Sequence, residues 1–230
     1  MTGVKAILFD AGNTLVWLDH DFILELLREH GVERTMEELL EAEHSAKLLL
    51  DELVRTGRAG DDEARGKAFF AAIFRHLGVP DEAFPPLAKR LFARHQEQNL
   101  WGIVRERTAE TLEELRARGY RLGVISNADG RVEPLLEAVG LRPHFDFVID
   151  SGLVEIEKPD PRIFRMGCER IGVEPREAAY VGDIYEIDIV GARGAGMRPI
   201  LIDPLARFAE HDVDRIRGIH DLLDLFPGAG

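Results

Sequence analysis

From residue 108 onward the chain alternates amphipathic helical segments with short apolar segments, and this alternation restricts the fold more than any other feature. Several helical segments end at a glycine and lead into a run of apolar residues, a pattern typical of a helix followed by a buried strand. The predicted helices span 111–118, 132–139, 161–171 and 187–195, and the predicted strands span 121–125, 145–149, 179–181 and 199–202. Strands that alternate with helices predict right-handed crossovers and a mainly parallel sheet with helices on both faces.

The first part of the chain has a different organisation. Residues 4–9 form an apolar segment that predicts a buried first strand, whereas apolar residues between 17 and 100 recur at helical spacing without a convincing strand. We therefore predict an α/β core domain of residues 1–16 and 101–230, built on a doubly wound sheet, and a small all-helical domain of residues 17–100. Because ligands of parallel sheets bind at the carboxyl ends of the strands, we expect the inserted helices to cover that edge as a cap.

The composition limits the classes of partner. The 230 residues carry a formal net charge of −13 and no cluster of Lys and Arg, which argues against binding to nucleic acid. Cys168 is the only cysteine, so an intrachain disulfide is impossible, and its apolar helical context predicts a small core residue rather than a nucleophile. The sequence shows no signal peptide and no apolar run of membrane-spanning length. We expect a cytoplasmic monomer or homodimer without a membrane partner.

Polar residues follow the apolar segments at the positions where ligands of a parallel sheet bind. Asp10 ends the first strand, and a carboxylate there can attack phosphorus and form an aspartyl-phosphate, although Asp at a strand end is more commonly a turn former. Thr14 follows in the same loop. Ser126 and Asn127 end the next strand of the core, where a hydroxyl and backbone N–H groups can hold phosphoryl oxygens, or where the serine can cap a helix.

Lys158 and a pair of aspartates complete a possible phosphate site. Lys158 precedes Pro159, which restricts the backbone there, and its ammonium can neutralise a transferring phosphoryl group unless it is simply solvated. Asp183 follows an apolar strand and Asp188 lies five residues further on, where it can also serve as a charge at a helix start. Three converging carboxylates repel one another without a cation, so convergence with Asp10 predicts a Mg²⁺ site.

In their order and strand-end placement, these motifs resemble those of the haloacid dehalogenase (HAD) superfamily of hydrolases, in subfamily I, whose helical cap is inserted after the first motif. The resemblance covers nearly the whole chain and implies a Rossmann-like HAD core. It also implies a Mg²⁺-dependent hydrolase, most often a phosphatase of a small phosphorylated metabolite that acts through a phospho-aspartate.

The resemblance implies a role for each motif residue of this chain. Asp10 corresponds to the nucleophile, and Thr14 and Ser126 correspond to the hydroxyls that contact phosphate. Lys158 corresponds to the charge-neutralising lysine. The implied metal site comprises the carboxylates of Asp10 and Asp183, the main-chain carbonyl of Gly12 and, as a supporting group, the carboxylate of Asp188.

Gly12 departs from the family pattern. Phosphatases of the family carry an Asp at this position, which protonates the leaving group and then deprotonates the attacking water. Such acid–base help contributes about 10²–10⁴-fold to the rate. Three explanations stay open: a leaving group that departs easily, as in an acyl or enol phosphate; a proton from Asp19, His20 or Asp21; or a weakened phosphate-binding or regulatory protein.

Two other reactions of the family also lack that second acid. Haloacid dehalogenases usually have an aromatic residue in place of Gly12 and do not need the metal-binding pair Asp183 and Asp188, so the sequence favours phosphate. Phosphonatases tolerate a small residue there and use a lysine of the cap, for which Lys47 and Lys67 are candidates. We rank the dehalogenase second and the phosphonatase third.

Overall fold

The computed structural model describes residues 3–228, which divide into two compact units. Residues 3–17 and 103–228 form the larger one, called the core unit below, and Leu18–Gly102 form the helical unit. Their assignment as a catalytic core and a cap stays a prediction. Residues 1, 2, 229 and 230 of the predicted core domain lie outside the described residues.

Six of the eight β-strands found in residues 3–228 form one sheet in the core unit. Side by side, they are β5 (Phe147–Asp150), β4 (Arg121–Ser126), β1 (Ala6–Phe9), β6 (Ala178–Gly182), β7 (Arg198–Ile202) and β8 (Asp214–Ile216). Each adjacent pair is parallel, which confirms the predicted α/β class and its mainly parallel sheet. The other two strands, β2 (Trp17–Leu18) and β3 (Trp101–Ile103), pair with each other.

The helical segments predicted from the sequence contain helices, and the core unit has two further short helices, Ser151–Val154 and Leu222–Leu225, that the sequence did not predict. In the helical unit the helices are α1 (His20–Glu29), α2 (Met36–Arg55), α3 (Asp62–His76) and α4 (Phe84–Gln98). In the core unit they are α5 (Thr108–Ala117), α6 (Val132–Ala138), α7 (Ser151–Val154), α8 (Pro161–Ile171), α9 (Val190–Ala195) and α10 (Leu222–Leu225). Among the described residues, no helix is both long and apolar enough to cross a membrane.

Strand β1 shows why its sequence is continuously apolar. All four of its residues are buried. Ala6 and Leu8 belong to the same hydrophobic cluster as Phe164 and Cys168 of α8. Because successive side chains of a strand point to opposite faces, Ile7 and Phe9 face away from α8 and are buried on the other side of the sheet. Burial on both faces removes the polar positions that an exposed sheet would carry.

The sheet order explains where a site can form. From the central β1, the chain adds β4 and β5 on one side and β6, β7 and β8 on the other. Ligands of open parallel sheets bind where the strand order reverses, beyond the carboxyl ends of the strands. The predicted site residues Asp10, Ser126 and Asp183 lie at the ends of β1, β4 and β6, which are adjacent.

The helical unit is held together by apolar residues at helical spacing. Leu39, Ala42, Ala46 and Leu50 of α2 are buried, and α2 packs against α3. A capping box starts α2: the N–H of Glu38 donates to the Thr35 hydroxyl, and the Thr35 N–H donates to the Glu38 carboxylate at 2.7 Å.

Three local predictions need correction. The segment 17–100 begins with strand residues in Trp17–Leu18, and the core sheet has an unpredicted sixth strand, Asp214–Ile216. Both are too short to show a two-residue alternation, and the second contains two charged residues at the sheet edge. The predicted helix 187–195 divides into a π-helical turn, Tyr185–Ile189, and α9. A π turn changes the helical register by one residue, which an apolar pattern of this length does not reveal.

The position of Cys168 yields a test of the core. Its thiol is buried in the cluster beneath the sheet, and burial, together with Glu169 and Glu174, raises its pKa to about 11. At about pH 8 only one thiol in roughly a thousand is then ionised. We expect alkylation by iodoacetamide, followed by mass spectrometry, to be far slower in the folded protein than after denaturation in guanidinium chloride. Equal rates would show that Cys168 is accessible.

Candidate active site

Asp10 occupies the first position beyond the central strand. Its N–H donates to the Val181 carbonyl at 2.8 Å, which extends the pairing of β1 with β6 by one step. The chain then turns tightly, because the Leu15 and Val16 N–H groups both donate to the Ala11 carbonyl at 2.9 and 3.0 Å. Asn13 has a φ of 51°, a conformation that asparagine tolerates better than most residues. The turn leaves the Asp10 side chain at the sheet edge with 7% exposure.

Lys158 is the centre of the site's hydrogen bonds. Its Nζ donates to Asp10 Oδ1 at 2.7 Å, to Asp188 Oδ1 at 2.7 Å and to the Tyr180 hydroxyl at 2.9 Å. An ammonium carries three protons, so each has an acceptor, and the residue is only 2% exposed. A lysine buried in this way cannot be the solvated loop residue that the sequence alone allowed.

Asn127 and Tyr180 hold this lysine in place. The Asn127 side chain accepts from the Lys158 N–H at 2.8 Å and donates to the Lys158 carbonyl at 2.9 Å, so it fixes the backbone on both sides. Tyr180 of β6 is fully buried, and its hydroxyl donates to the Ile125 carbonyl at 2.8 Å while accepting from Lys158. The amide of Asn127 is thus used for positioning, and its predicted contact with phosphate stays a prediction.

Asp188 is tied to the loop that carries Asp183. Its Oδ2 accepts from the N–H groups of Asp183 and Ile184, both at 3.0 Å, and its Oδ1 accepts from Lys158. Three of its roughly four lone-pair positions are therefore occupied. Gly182 makes this arrangement possible, since a Cβ there would lie 2.4 Å from the Asp188 Cγ.

The carboxylates outnumber the positive charges around them. Asp10, Asp183 and Asp188 each offer an oxygen within 4.8 Å of the others, and all three residues are buried. Burial raises the pKa of Asp10 to about 7, against the opposing effect of Lys158 and with the support of Asp188 and Asp183. Burial alone would lower the pKa of Lys158, but Asp10 and Asp188 hold it well above its usual value.

The donor set suits a hard divalent cation. Mg²⁺ prefers oxygen ligands and is commonly held by one or two carboxylates together with substrate phosphate and water. Three carboxylates with a single ammonium leave an excess of negative charge that such an ion would offset. Since Asp188 already accepts three hydrogen bonds, Asp10 and Asp183 are the better candidates for direct ligands, with Asp188 in support.

Two polar groups near Asp10 lack a partner. The Thr14 hydroxyl and the Asn13 Oδ1 are buried, and neither has a hydrogen-bond partner among residues 3–228. An unsatisfied buried polar atom costs about 1–3 kcal/mol, so such atoms commonly mark a place where a ligand or water binds. Ser126 is also buried, at the end of β4. These positions agree with a site for phosphoryl oxygens, although their contact with phosphate stays a prediction.

The helical unit contains a buried ionic cluster of its own. Glu43 of α2 lies 2.7 Å from His20 Nε2 and 3.2 Å from Lys47 Nζ. Burial alone would raise the pKa of Glu43, but Lys47 and His20 lower it to about 2. Lys47 is therefore bound to a carboxylate, and Lys67 is paired with Glu63 on the exposed face of α3. Asp19 caps α1 by accepting from the Phe22 N–H at 3.1 Å.

Sequence reasoning did not find Tyr180 or Glu43 as parts of polar clusters. The signal for Tyr180 was a hydroxyl inside an otherwise apolar central strand, because such a hydroxyl must find a partner when it is buried. The signal for Glu43 was an acid on the same helical face as Leu39, Ala46 and Leu50.

Comparison with known proteins identifies the family of this chain. Residues 4–196 match the family model described as haloacid dehalogenase-like hydrolase. The chain is 40% identical over 158 residues to haloacid dehalogenase-like hydrolase domain-containing protein 3 of Mus musculus, a match that covers 67% of this chain but only 62% of that protein. It is 32% identical over 203 residues to glyceraldehyde 3-phosphate phosphatase of Methanopyrus kandleri, covering 86% of this chain and 84% of that protein.

Solved structures give the same picture of the fold. The crystal structure of a HAD phosphatase from Thermococcus onnurineus matches with a TM-score of 0.61 and 28% identity, covering 98% of this chain and 99% of the other. Structures of dehalogenases also share the fold. The fold therefore does not by itself separate ester hydrolysis from halide displacement.

Replacing Tyr180 by Phe tests the hydrogen bonds of Lys158. The change leaves one ammonium proton and the Ile125 carbonyl without partners inside the protein, so we expect a loss of about 1–3 kcal/mol in the free energy of unfolding. Urea denaturation measures it. Tyr120→Phe, at another buried tyrosine of the core unit, is the matched control and should cost less. Equal costs would contradict the role given to the Tyr180 hydroxyl.

Replacing Gly182 by Ala tests the close approach of Asp188. The added methyl group must displace the Asp188 side chain, and overpacking of this kind costs about 1–3 kcal/mol of unfolding free energy. Gly194→Ala is the control, since a Cβ at Gly194 has open space and a glycine in a helix is less stable than alanine. The two variants should therefore shift the urea midpoint in opposite directions. A stable Gly182→Ala protein would show that Asp188 moves freely.

Proposed function

We propose that this chain, which belongs to the haloacid dehalogenase-like hydrolase family, hydrolyses a small phosphorylated metabolite with the help of Mg²⁺ and through a phospho-Asp10 intermediate. The observation that carries the proposal is the buried cluster of Asp10, Asp183 and Asp188 around the ammonium of Lys158. It combines a nucleophile, a fixed positive charge and a set of oxygen ligands at one sheet edge.

The hydrolysis takes place in two steps. An Asp10 carboxylate oxygen attacks phosphorus, and the bond between phosphorus and the leaving oxygen breaks. Water then attacks the phosphorus of phospho-Asp10, which releases inorganic phosphate and restores the carboxylate. Lys158 stays within hydrogen-bonding distance of Asp10 and offsets the negative charge that gathers there.

The remaining residues bind and orient. Asp10, Asp183 and the Gly12 carbonyl would hold the metal, with Asp188 in support, and the bound ion would supply positive charge to the phosphoryl oxygens. Thr14 and Ser126 would bind those oxygens, and the unpartnered hydroxyl of Thr14 supports this role. We assign the helical unit to a cap that selects the substrate.

The relatives support a phosphorylated substrate. The glyceraldehyde 3-phosphate phosphatase of Methanopyrus kandleri resembles this chain over most of both lengths, and its name gives a small phosphorylated metabolite as its substrate. A cytoplasmic location fits such a substrate. The chain's own substrate is a proposal at the level of chemical class.

A 2-haloacid dehalogenase-type reaction is the second candidate, because it uses an ester-forming Asp without a second acid and Gly12 has no side chain. The cluster of Asp10, Asp183 and Asp188 argues against a dehalogenase, because it offers a cation site and a halide displacement needs no cation. A phosphate-binding or regulatory protein with weakened activity is the alternative outside the enzymes.

An assay of phosphate and halide release separates these candidates. We expect phosphate release from a panel of phosphorylated metabolites with Mg²⁺, little without it, and no halide from 2-haloacids. Asp10→Asn should abolish phosphate release, whereas Asp224→Asn, at an exposed acid of α10, should leave it unchanged. Metal-independent halide release would overturn the proposal. Binding of Mg²⁺ and phosphate without turnover would favour the regulatory alternative.

A further inference from the structure

We infer that the leaving group departs as an anion, unprotonated by the core unit, so that the preferred substrates are phosphate compounds with acidic leaving groups, such as acyl or enol phosphates. This inference rests on the proposed function and refines its substrate class. It follows from the hydrogen-bond partners of each polar group around Asp10.

The loop after β1 offers no acid. Gly12, two residues beyond Asp10, has no side chain, and its two neighbours pair with Val16: the Val16 N–H donates to the Ala11 carbonyl and the Asn13 N–H donates to the Val16 carbonyl. The neighbouring polar side chains are an amide, Asn13, and a hydroxyl, Thr14. Neither group gives up a proton to a leaving alkoxide at neutral pH.

Lys158 and Tyr180 have protons, but these are already committed. The three Nζ protons of Lys158 point to Asp10, Asp188 and Tyr180, and the Tyr180 hydroxyl proton points to the Ile125 carbonyl. Turning either group towards a leaving oxygen would leave at least one buried acceptor without its donor. Such an orphaned group costs about 1–3 kcal/mol, and more when charged.

The two remaining carboxylates do not supply the proton either. Asp188 accepts hydrogen bonds on both of its oxygens, from Lys158 on one and from two backbone N–H groups on the other, which is the pattern of an ionised carboxylate. Asp183 belongs to the cluster proposed to hold the cation, a role that requires its ionised form.

The chemistry then depends on the leaving group. As the Asp10 oxygen bonds to phosphorus, the electron pair of the breaking P–O bond stays on the leaving oxygen. That oxygen departs as a carboxylate, enolate or phenolate. In the second step the leaving group is the Asp10 carboxylate, which needs no proton, and the proton of the attacking water passes to the released phosphate. A simple alkoxide would lose the help of an acid, worth about 10²–10⁴-fold.

A series of substituted phenyl phosphates tests this inference, because its members differ little in size but widely in the acidity of the phenol. For the unmodified chain with Mg²⁺, we expect kcat/KM to fall steeply from 4-nitrophenyl phosphate to phenyl phosphate. In Gly12→Asp, kcat/KM should depend much less on the acidity of the phenol, because kcat/KM for phenyl phosphate should rise by up to roughly 10²–10⁴-fold. Gly12→Asn is the matched control, since it has nearly the same shape but no acidic proton, and it should keep the steep slope.

The outcomes separate the inference from the function on which it rests. If kcat/KM in the unmodified chain did not depend on the acidity of the phenol, the inference would be overturned, while the proposed hydrolase function would stand. If that dependence then appeared in His20→Gln, the variant would identify a proton donor in the helical unit. Equal flattening by Asp and Asn at position 12 would also overturn the inference. Absence of hydrolysis even for acetyl phosphate, with no phosphorylated protein detectable by mass spectrometry, would instead overturn the proposed function.

Discussion

The site depends on one buried ammonium ion with three acceptors. Lys158 has almost no contact with solvent, so its charge is tolerated only because Asp10, Asp188 and Tyr180 replace the water that it would otherwise bind. The reverse is also true, because the two carboxylates would be costly to bury without the lysine. If Lys158, Asp10 or Asp188 were replaced by an uncharged residue, the charges that stay buried would lose a partner that replaces water. Lys158 therefore opposes the rise in the pKa of Asp10 that burial and Asp188 cause, and the two carboxylates in turn hold the pKa of Lys158 well above its usual value.

The parallel sheet is what brings these residues together. Asp10 and Lys158 are 148 residues apart in sequence, yet they form a hydrogen bond, because Asp10 follows β1 while Asn127, at the end of the neighbouring β4, holds the Lys158 backbone. Backbone groups at those ends are no longer paired within the sheet and become donors for side chains, as the Asp183 and Ile184 N–H groups show. The sheet thus supplies both the proximity and part of the polar surroundings.

The sequence was sufficient for features that repeat or that lie at strand ends. Apolar segments separated by helical ones predicted the core sheet, and Asp10, Ser126 and Asp183 were recognisable because each follows such a segment. The tertiary partners were not predictable. Asn127 reads as a loop amide in sequence, and only the fold shows that it binds the Lys158 backbone across 31 residues. The π turn at Tyr185–Ile189 was hidden for a similar reason, since it places Asp188 against Gly182, a contact that the apolar pattern of the segment does not reveal.

The clamp between Asn127 and Lys158 has a consequence for the part of the chain that lies between them. Its two hydrogen bonds close residues 128–157 into a segment with fixed ends, which contains α6, α7 and the edge strand β5. Because Asn127 holds the Lys158 backbone, we expect a change of length within this segment to leave the position of Lys158 unchanged. The segment also carries buried core residues, Phe147 and Ile149 of β5, so we expect insertions to be tolerated in its loops rather than in its strand, and better there than in the short turn between Asp10 and Trp17.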